Sequence, residues 1–311
     1  MREHFGINDY IGTDDNRMWF IEDQVTDESI PEEYARILSA YDSINIMYSG
    51  GIDSEIVAEV CKDYAIPHQL HFIALVHEGK IFNSDDYHNA KKFSSDLVVH
   101  ELNFRDFFES EEYIDYALKY GTMSPQLACH FRVAEEVGRN VIFGGDSMYF
   151  RVQHEIQTTE FATTTPSHFS YDRVAKEFGG IGNMANASYS LLIKYLQIQL
   201  NMAKEGNFRV VWDDFTVNMQ QASYPWKCEM YRRAGFKSMP KQNKLTGFEA
   251  IKQYYSDKYN EIGTCRKFDQ LYRAPLQRIV KIPSGDNLIL SLTNQIKDLL
   301  NEFGETYDKG R

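Results

Sequence analysis

The chain of 311 residues is long enough to bury a sizeable core in one large domain or two modest ones. A formal net charge of −12 excludes a surface that grips duplex nucleic acid by its overall charge. The same charge repels polyphosphates, so any nucleotide site must be locally positive or draw on Mg²⁺.

Along the chain, Met18–Ile21 reads as a short strand. Ser29 and Glu32 form a capping box with Pro31 in the first turn, which predicts a helix to about Tyr41. Ile44–Tyr48 is a short apolar run of the kind buried as a parallel strand, and it enters Ser49-Gly50-Gly51-Ile52-Asp53-Ser54 directly. Apolar residues at 56, 57, 60 and 61 then give a helical face through Tyr64. Leu70–Val76 reads as strand, Asp85–Ser95 as helix and Asp96–Leu102 as strand. Ser124 and Pro125 open a helix in which Leu127, Phe131, Ala134 and Val137 share a face, with Gly138 suited to its end. Asn140–Phe143 is a further buried strand, ending in Gly144-Gly145-Asp146. This alternation predicts an α/β fold, a parallel sheet with helices on both faces.

Beyond about Tyr149 the rhythm changes. Glu155–Ser170, rich in Thr and Ser, reads as irregular. Ser188–Ala203 reads as helix, as does Ala250–Tyr259 behind a capping box at Thr246 and Glu249, and Phe208–Trp212 as strand. The expected organisation is an N-terminal extension at 1–42, an α/β domain at 43–150 and a mainly helical substrate region at 151–311.

Cys61, Cys129, Cys228 and Cys265 lie far apart with no CxxC, so a reduced, cytoplasmic protein is expected. The opening Met-Arg-Glu-His lacks the apolar core of a signal peptide, and no run of about 18 apolar residues marks a membrane span.

The glycine loop carries the chemistry. A triphosphate needs converging N–H donors, close backbone approach and a cation. Gly50 and Gly51 remove the β-carbons that would block approach, Ser49 and Ser54 supply hydroxyls, and the following helix points its first N–H groups at the same spot. Asp53 would repel phosphate and makes sense as a ligand to Mg²⁺.

Tyr48-Ser-Gly-Gly-Ile-Asp-Ser54 resembles the PP-loop of the N-type ATP pyrophosphatases, the superfamily of asparagine, GMP and NAD synthetases. It is not a Walker A loop, since no Gly-Lys-Ser/Thr ending follows. The resemblance covers roughly the first half of the chain. It implies a Rossmann-like (adenine nucleotide alpha hydrolase-like) sheet, ATP and Mg²⁺ as cofactors, and cleavage between the α- and β-phosphates. Within the superfamily the chain most resembles the synthetase domain of asparagine synthetase and the β-lactam synthetases. Val141–Asp146 looks like their acidic fourth-strand segment, which implies Asp146 as a second Mg²⁺ ligand and nucleotide contacts at Phe143 and Gly144. The usual Gly-Glu-Gly-x-Asp-Glu is reduced here to Gly-Gly-Asp. By analogy, backbone groups at Ala74 and Leu75 would read the adenine edge, and a C-terminal cation among Arg273, Arg278 and Lys281 would contact pyrophosphate.

The expected activity is therefore that of an AMP-forming synthetase, or amidotransferase-like ligase, that adenylates a carboxylate or carbonyl and lets ammonia or an amine displace AMP. Residue 2 is Arg, and about 40 residues precede the first core strand, so no glutaminase domain is expected. Nitrogen would come from free ammonia, an amine substrate or a separate glutaminase subunit; the other partners expected are a small-molecule acceptor and a second copy of the chain in a homodimer. The alternatives are a PP-loop enzyme acting on nucleic acid or nucleobases, and a nucleotide-binding regulator without catalysis.

Other signals weigh less. His68 and His71 stand at an odd offset on a strand, so they face opposite ways and do not suggest zinc. Cys129 and His130, adjacent on a helix, read as core and surface rather than nucleophile and base. Gly179–Gly182, with no strand before it, reads as a turn. Tyr224–Lys244 gathers Lys227, Arg232, Arg233, Lys237, Lys241 and Lys244 among aromatics. It fits nucleic-acid contact, a cationic rim over polyphosphate, or a solvated basic helix face.

Overall fold

A computed structural model describes residues 6–7, 17–19, 24–110, 112–120, 125–145, 149–153, 158–162, 171, 174–175, 177–207, 209–212, 215–218, 223–237, 241, 279–280, 291–292, 295 and 298–299. Near the N-terminus β1 (Gly6–Ile7) pairs antiparallel with β2 (Arg17–Trp19). The capping box is present at α1 (Ile30–Leu38): Glu32 N–H donates to Ser29 Oγ at 3.4 Å, and Ser29 N–H to the Glu32 carboxylate at 2.7 Å.

The alternation expected from periodicity follows. β3 (Ile44–Met47) leads to α2 (Ile52–Asp63), β4 (His68–His77), β5 (Lys80–Ile81), α3 (Ser84–Phe93) and β6 (Leu97–Asn103). Then come α4 (Phe104–Glu109), α5 (Glu112–Tyr120), α6 (Pro125–Val137) and β7 (Val141–Phe143). The strands β6, β4, β3 and β7 lie side by side in that order, all parallel. Short β5 runs antiparallel on the far end of β4.

Alternating side chains divide this sheet between two cores. Ile44, Ile46, Leu70, Phe72 and Ile142 face one cluster with α1, α2 and α3, while Met47, Ile73, Leu75 and Phe143 face another with α4, α5 and α6. Helices thus cover both faces of a mostly parallel sheet, an α/β arrangement.

Two expectations are corrected. Gly179–Gly182 is not merely a turn: Ile181 N–H donates to Val141 O at 3.0 Å and Phe143 N–H to Ile181 O at 2.9 Å, a one-residue parallel bridge beyond β7. Nor is Glu155–Ser170 irregular throughout, because it contains β9 (Thr158–Ala162), antiparallel to β8 (Tyr149–Gln153). β8 also pairs parallel with β10 (Arg209–Trp212), which pairs antiparallel with β11 (Phe215–Asn218). The threonines taken as loop-formers are β-branched, and β-branching favours a pleated strand. The region expected to be mainly helical therefore holds a four-stranded sheet as well.

Two helices of that region return to the first core. α7 (Tyr189–Lys204) is capped by Ser188, whose hydroxyl accepts the Leu191 N–H at 3.0 Å, and it is followed by α8 (Ser223–Arg233). Leu191, Tyr195, Trp226 and Tyr231 are buried in one cluster with Tyr34 and Ile56. The capping box at Thr246 and the helix expected at 250–259 lie outside the described residues, whereas β12 (Ile279–Val280) pairs parallel with β2.

Candidate functional site

The sheet fixes where a ligand can enter. From β3 the chain builds outward to β4 and β6, then crosses back so that β7 lies on the other side of β3. At such a reversal the connections leave the strand ends in opposite directions and open a crevice at the carboxyl edge. The loop Ser49–Gly51 lies at that end of β3, and Gly144 follows β7.

Gly50 has φ +73°, and a β-carbon there would meet the Asp86 carbonyl oxygen at 2.6 Å. The left-handed backbone and the close approach of α3 both require glycine. Gly51 is the N-cap of α2 and has no side chain to offer as a cap. In a helix's first turn the N–H groups have no intrahelical acceptor, so those of Ile52, Asp53 and Ser54 are suited to an anion. The two serines hold the loop's shape. Ser54 Oγ donates to Gly51 O at 3.1 Å and accepts Ser49 N–H at 3.1 Å, and Gly51 N–H donates to Ser49 Oγ at 3.3 Å. Gly144 closes the far side, where a β-carbon would come within 2.4 Å of the Asp53 carbonyl carbon and 2.5 Å of Ser54 N. Phe143 is buried behind it.

Gly50→Ala is accordingly expected to cost at least about 1–2 kcal/mol from φ alone. The displaced α3 contact should add to this. A urea titration reads the loss, and an unchanged midpoint would show that the loop does not need its left-handed residue.

Asp53 has protein partners of its own. Lys227 Nζ on α8 lies 2.9 Å from Oδ1 and 3.0 Å from Oδ2, and the Tyr231 hydroxyl donates to Oδ1 at 2.6 Å. The pair is largely shielded, with the Lys227 side chain 12% and Asp53 14% exposed. Burial and the nearby Asp53 charge keep the Tyr231 phenol protonated, far above its ordinary pKa. The sequence offered Lys227 only as one cation among six. Its pairing with Asp53, 174 residues away, could not be read from spacing.

The other cations of the basic segment among the described residues also meet carboxylates. Lys241 meets Glu55, and Lys237 meets Asp63 at 3.2 Å, both partners lying on α2. Arg232 and Arg233 each lie 2.7 Å from Glu229, and Arg233 reaches Glu205 at 2.6 Å. Charge answers charge along α2, so these side chains do not form a continuous open cationic face. Lys244 lies outside the described residues, as do Asp146, Arg273, Arg278 and Lys281.

Beside the loop lies a small, partly open pocket of about 30 Å³. Tyr48, Ser49, Asn83 and Asp86 line its loop side, and Met47, Ile73, Leu75 and Cys129 give it an apolar wall. His71 and His130 also face it. Burial pushes both imidazoles down to about 4, the neighbouring His100 helping at His71, so both are neutral at physiological pH. His71 is held between Asn45 Oδ1 and His100 Nε2, both at 3.0 Å, while His68 bonds Ile66 O at 2.8 Å. The two do not converge. Among the described residues no group of three His, Cys, Asp or Glu is arranged to hold a metal. Mg²⁺ itself commonly takes only one or two carboxylates together with phosphate and water, so Asp53 alone fits the beginning of such a site.

Cys129 is core, as its helix position suggested, and burial raises its thiol pKa well above normal. His130 is half-buried and meets the Tyr171 hydroxyl at 3.2 Å instead of facing solvent. Burial pushes the Cys61 thiol up to about 12, which makes it a poor nucleophile.

Ala74 and Leu75 lie in β4, both buried, and Leu75 lines the pocket. The edge groups near them are engaged: Asn83 Oδ1 accepts Leu75 N–H at 2.9 Å, and Asn83 Nδ2 donates to Ile73 O at 2.7 Å. Nothing in the sequence pointed to Asn83 beyond its position before a helix.

No helix among the described residues is long and apolar enough to cross a membrane. No protein-family model matches the chain, and no curated protein matches it.

Proposed function

We propose that the chain is a PP-loop ATP pyrophosphatase with a Rossmann-like, adenine nucleotide alpha hydrolase-like ATP domain, acting as an AMP-forming synthetase. The observation that carries this reading is the glycine loop at the end of β3, with left-handed Gly50, first-turn N–H groups of α2 and Lys227 at Asp53. A polyphosphate needs that combination of close backbone approach, N–H donors and a nearby cation. In this reading the nucleoside would lie beside the adjoining pocket, which is polar at Asn83 and Asp86 and apolar along Ile73 and Leu75.

In this reading Ser49–Ser54 hold the β- and γ-phosphates, and Phe143 and Gly144 line the nucleotide's other side. Bound Mg²⁺ would supply charge neutralisation, with Asp53 and Asp146 as its proposed carboxylates. Lys227 carries a compact charge on a flexible stem, which lets it serve Asp53 in one state and the leaving pyrophosphate in another. Arg273, Arg278 and Lys281 remain candidates for the same charge. The acceptor would be a small molecule bearing a carboxylate or carbonyl, and ammonia or an amine the nucleophile. The carboxylate partners of the basic segment weigh against the nucleic-acid alternative.

Exchange of labelled pyrophosphate into ATP, across a panel of carboxylic acids, amides and nucleobases, tests this function. The wild-type chain should support exchange with its proper acceptor, and Asp53→Ala should lower it by at least about a hundredfold with the fold retained. Exchange by Asp53→Ala with normal Mg²⁺ dependence would sink the metal role. Release of ADP and phosphate in place of AMP and pyrophosphate would sink the function itself.

A further inference from the structure

The interior strand β4 has an edge that its neighbours do not fill. On that side β3 pairs with residues 68–71 and β5 with 76–77, leaving the stretch between them without a strand. The Asn83 carboxamide fills it. By donating to Ile73 O at 2.7 Å and accepting Leu75 N–H at 2.9 Å, it reproduces the two bonds that one parallel-strand residue would make opposite Ala74. A buried edge left bare would cost the desolvation of both groups.

A second observation accompanies the first. Asn83 is the N-cap of α3, a position where Asn ordinarily accepts N–H groups of its own helix, yet its side chain makes no cap bond. It is spent on the strand instead. The side chain therefore has two rival sets of partners, the β4 edge and the first turn of α3. It lines the pocket beside Ser49, and α3 itself approaches the loop at Gly50.

We propose that Asn83 is a removable plug of the base-recognition edge. The ligand class follows from what it imitates: a planar group with an acceptor beside a donor, which is also the N1 and N6-amino edge of adenine. When the base takes Ile73 O and Leu75 N–H, the carboxamide turns to cap α3, so neither the strand nor the displaced side chain is left without a partner. This inference rests on the nucleotide reading above and adds to it a residue that governs base selection. A plug closed nine-tenths of the time weakens apparent affinity about tenfold, which sets the effect to look for.

The test titrates the ¹⁵N-labelled full chain with Mg²⁺ and either ATP or inorganic tripolyphosphate, following the Asn83 side-chain amide and the Leu75 N–H by NMR. ATP should shift the Asn83 amide, whereas tripolyphosphate should leave it in place while binding the loop. Asn83→Ser, which can still cap α3 but cannot span the strand edge, should bind ATP about tenfold tighter with unchanged tripolyphosphate affinity. Failure of both ligands to bind the wild-type chain would overturn the nucleotide reading and this inference with it. Binding of both, with the Asn83 amide unmoved by ATP, would overturn the plug alone, and that readout does not depend on a variant folding.

Discussion

Replacing Glu33 by alanine is expected to remove about 3–5 kcal/mol of folding stability, because it breaks a buried ion pair from one side. Glu33 is fully buried in the first turn of α1, and its carboxylate joins three segments. Lys194 Nζ donates to it at 2.6 Å, the hydroxyls of Ser188 and Ser190 at 2.5 and 2.8 Å, and Thr26 Oγ1 at 3.1 Å. Alanine would strand the Lys194 charge, whose side chain is only 16% exposed. Glu33→Gln, which keeps the shape and most acceptors, should cost less.

Burial raises the Glu33 pKa, but the bonds from Lys194, Ser188 and Ser190 outweigh it, so the value lies below the ordinary 4.5. A depressed folded pKa adds stability that is present above the unfolded value and lost as pH falls through the folded one. The gap between wild type and Glu33→Ala in urea should thus be largest near neutrality and narrow below about pH 4.5. A gap that stays constant into acid would show that Glu33 is not the charged member of this cluster.

Lys227→Met is expected to lower pyrophosphate exchange by about 10²–10³-fold, the scale on which a single preorganised donor to developing charge acts. A merely structural lysine would not split its effects as this one should. Its ammonium now neutralises Asp53, so its removal should strengthen Mg²⁺ binding to the nucleotide-free chain while weakening catalysis. The Tyr231 hydroxyl still holds the Asp53 carboxylate in position, which limits collapse of the loop. Calorimetry with Mg²⁺ alone separates the two effects. Equal weakening of metal binding and exchange would mark Lys227 as a prop for Asp53 and not as the moving charge.

The strand–helix alternation from β3 to β7 was legible because its buried strands are short apolar runs and its longer helices show an apolar face, but β5, α4 and α5 were not read from it. Ile44–Tyr48 and Asn140–Phe143 are such runs, and both enter the sheet. The strand at Ile181 was not legible, since it is one apolar residue after two glycines. Gly180 is there because a β-carbon would strike the Val141 carbonyl oxygen at 1.8 Å, a demand of close sheet packing that resembles a turn signal on paper. Of the sheet from β8 to β11, β10 was read at Phe208–Trp212, while the other three strands were missed for another reason. Thr158–Ala162 carries its pattern in β-branching, not in hydrophobic alternation.

Within the site, local sequence identified the loop, because glycine conformation and helix start are local matters. It could not identify Lys227, Tyr231 or Asn83, whose roles come from tertiary approach. Asn83, which no local pattern singled out, completes the edge of a strand. Lys227 looked like one charge of a basic helix and instead faces Asp53, while Lys237 and Lys241 meet other carboxylates of α2.

The most direct measurement is an NMR titration of the wild-type chain with Mg²⁺ and α,β-methylene-ATP, which cannot be cleaved at the proposed bond. The backbone amides of Gly50, Gly51, Ile52 and Asp53 should shift together and saturate with one ligand per chain. Saturable binding that leaves those four amides unmoved, or no binding at all, would contradict the assignment of Ser49–Ser54 as the phosphate loop.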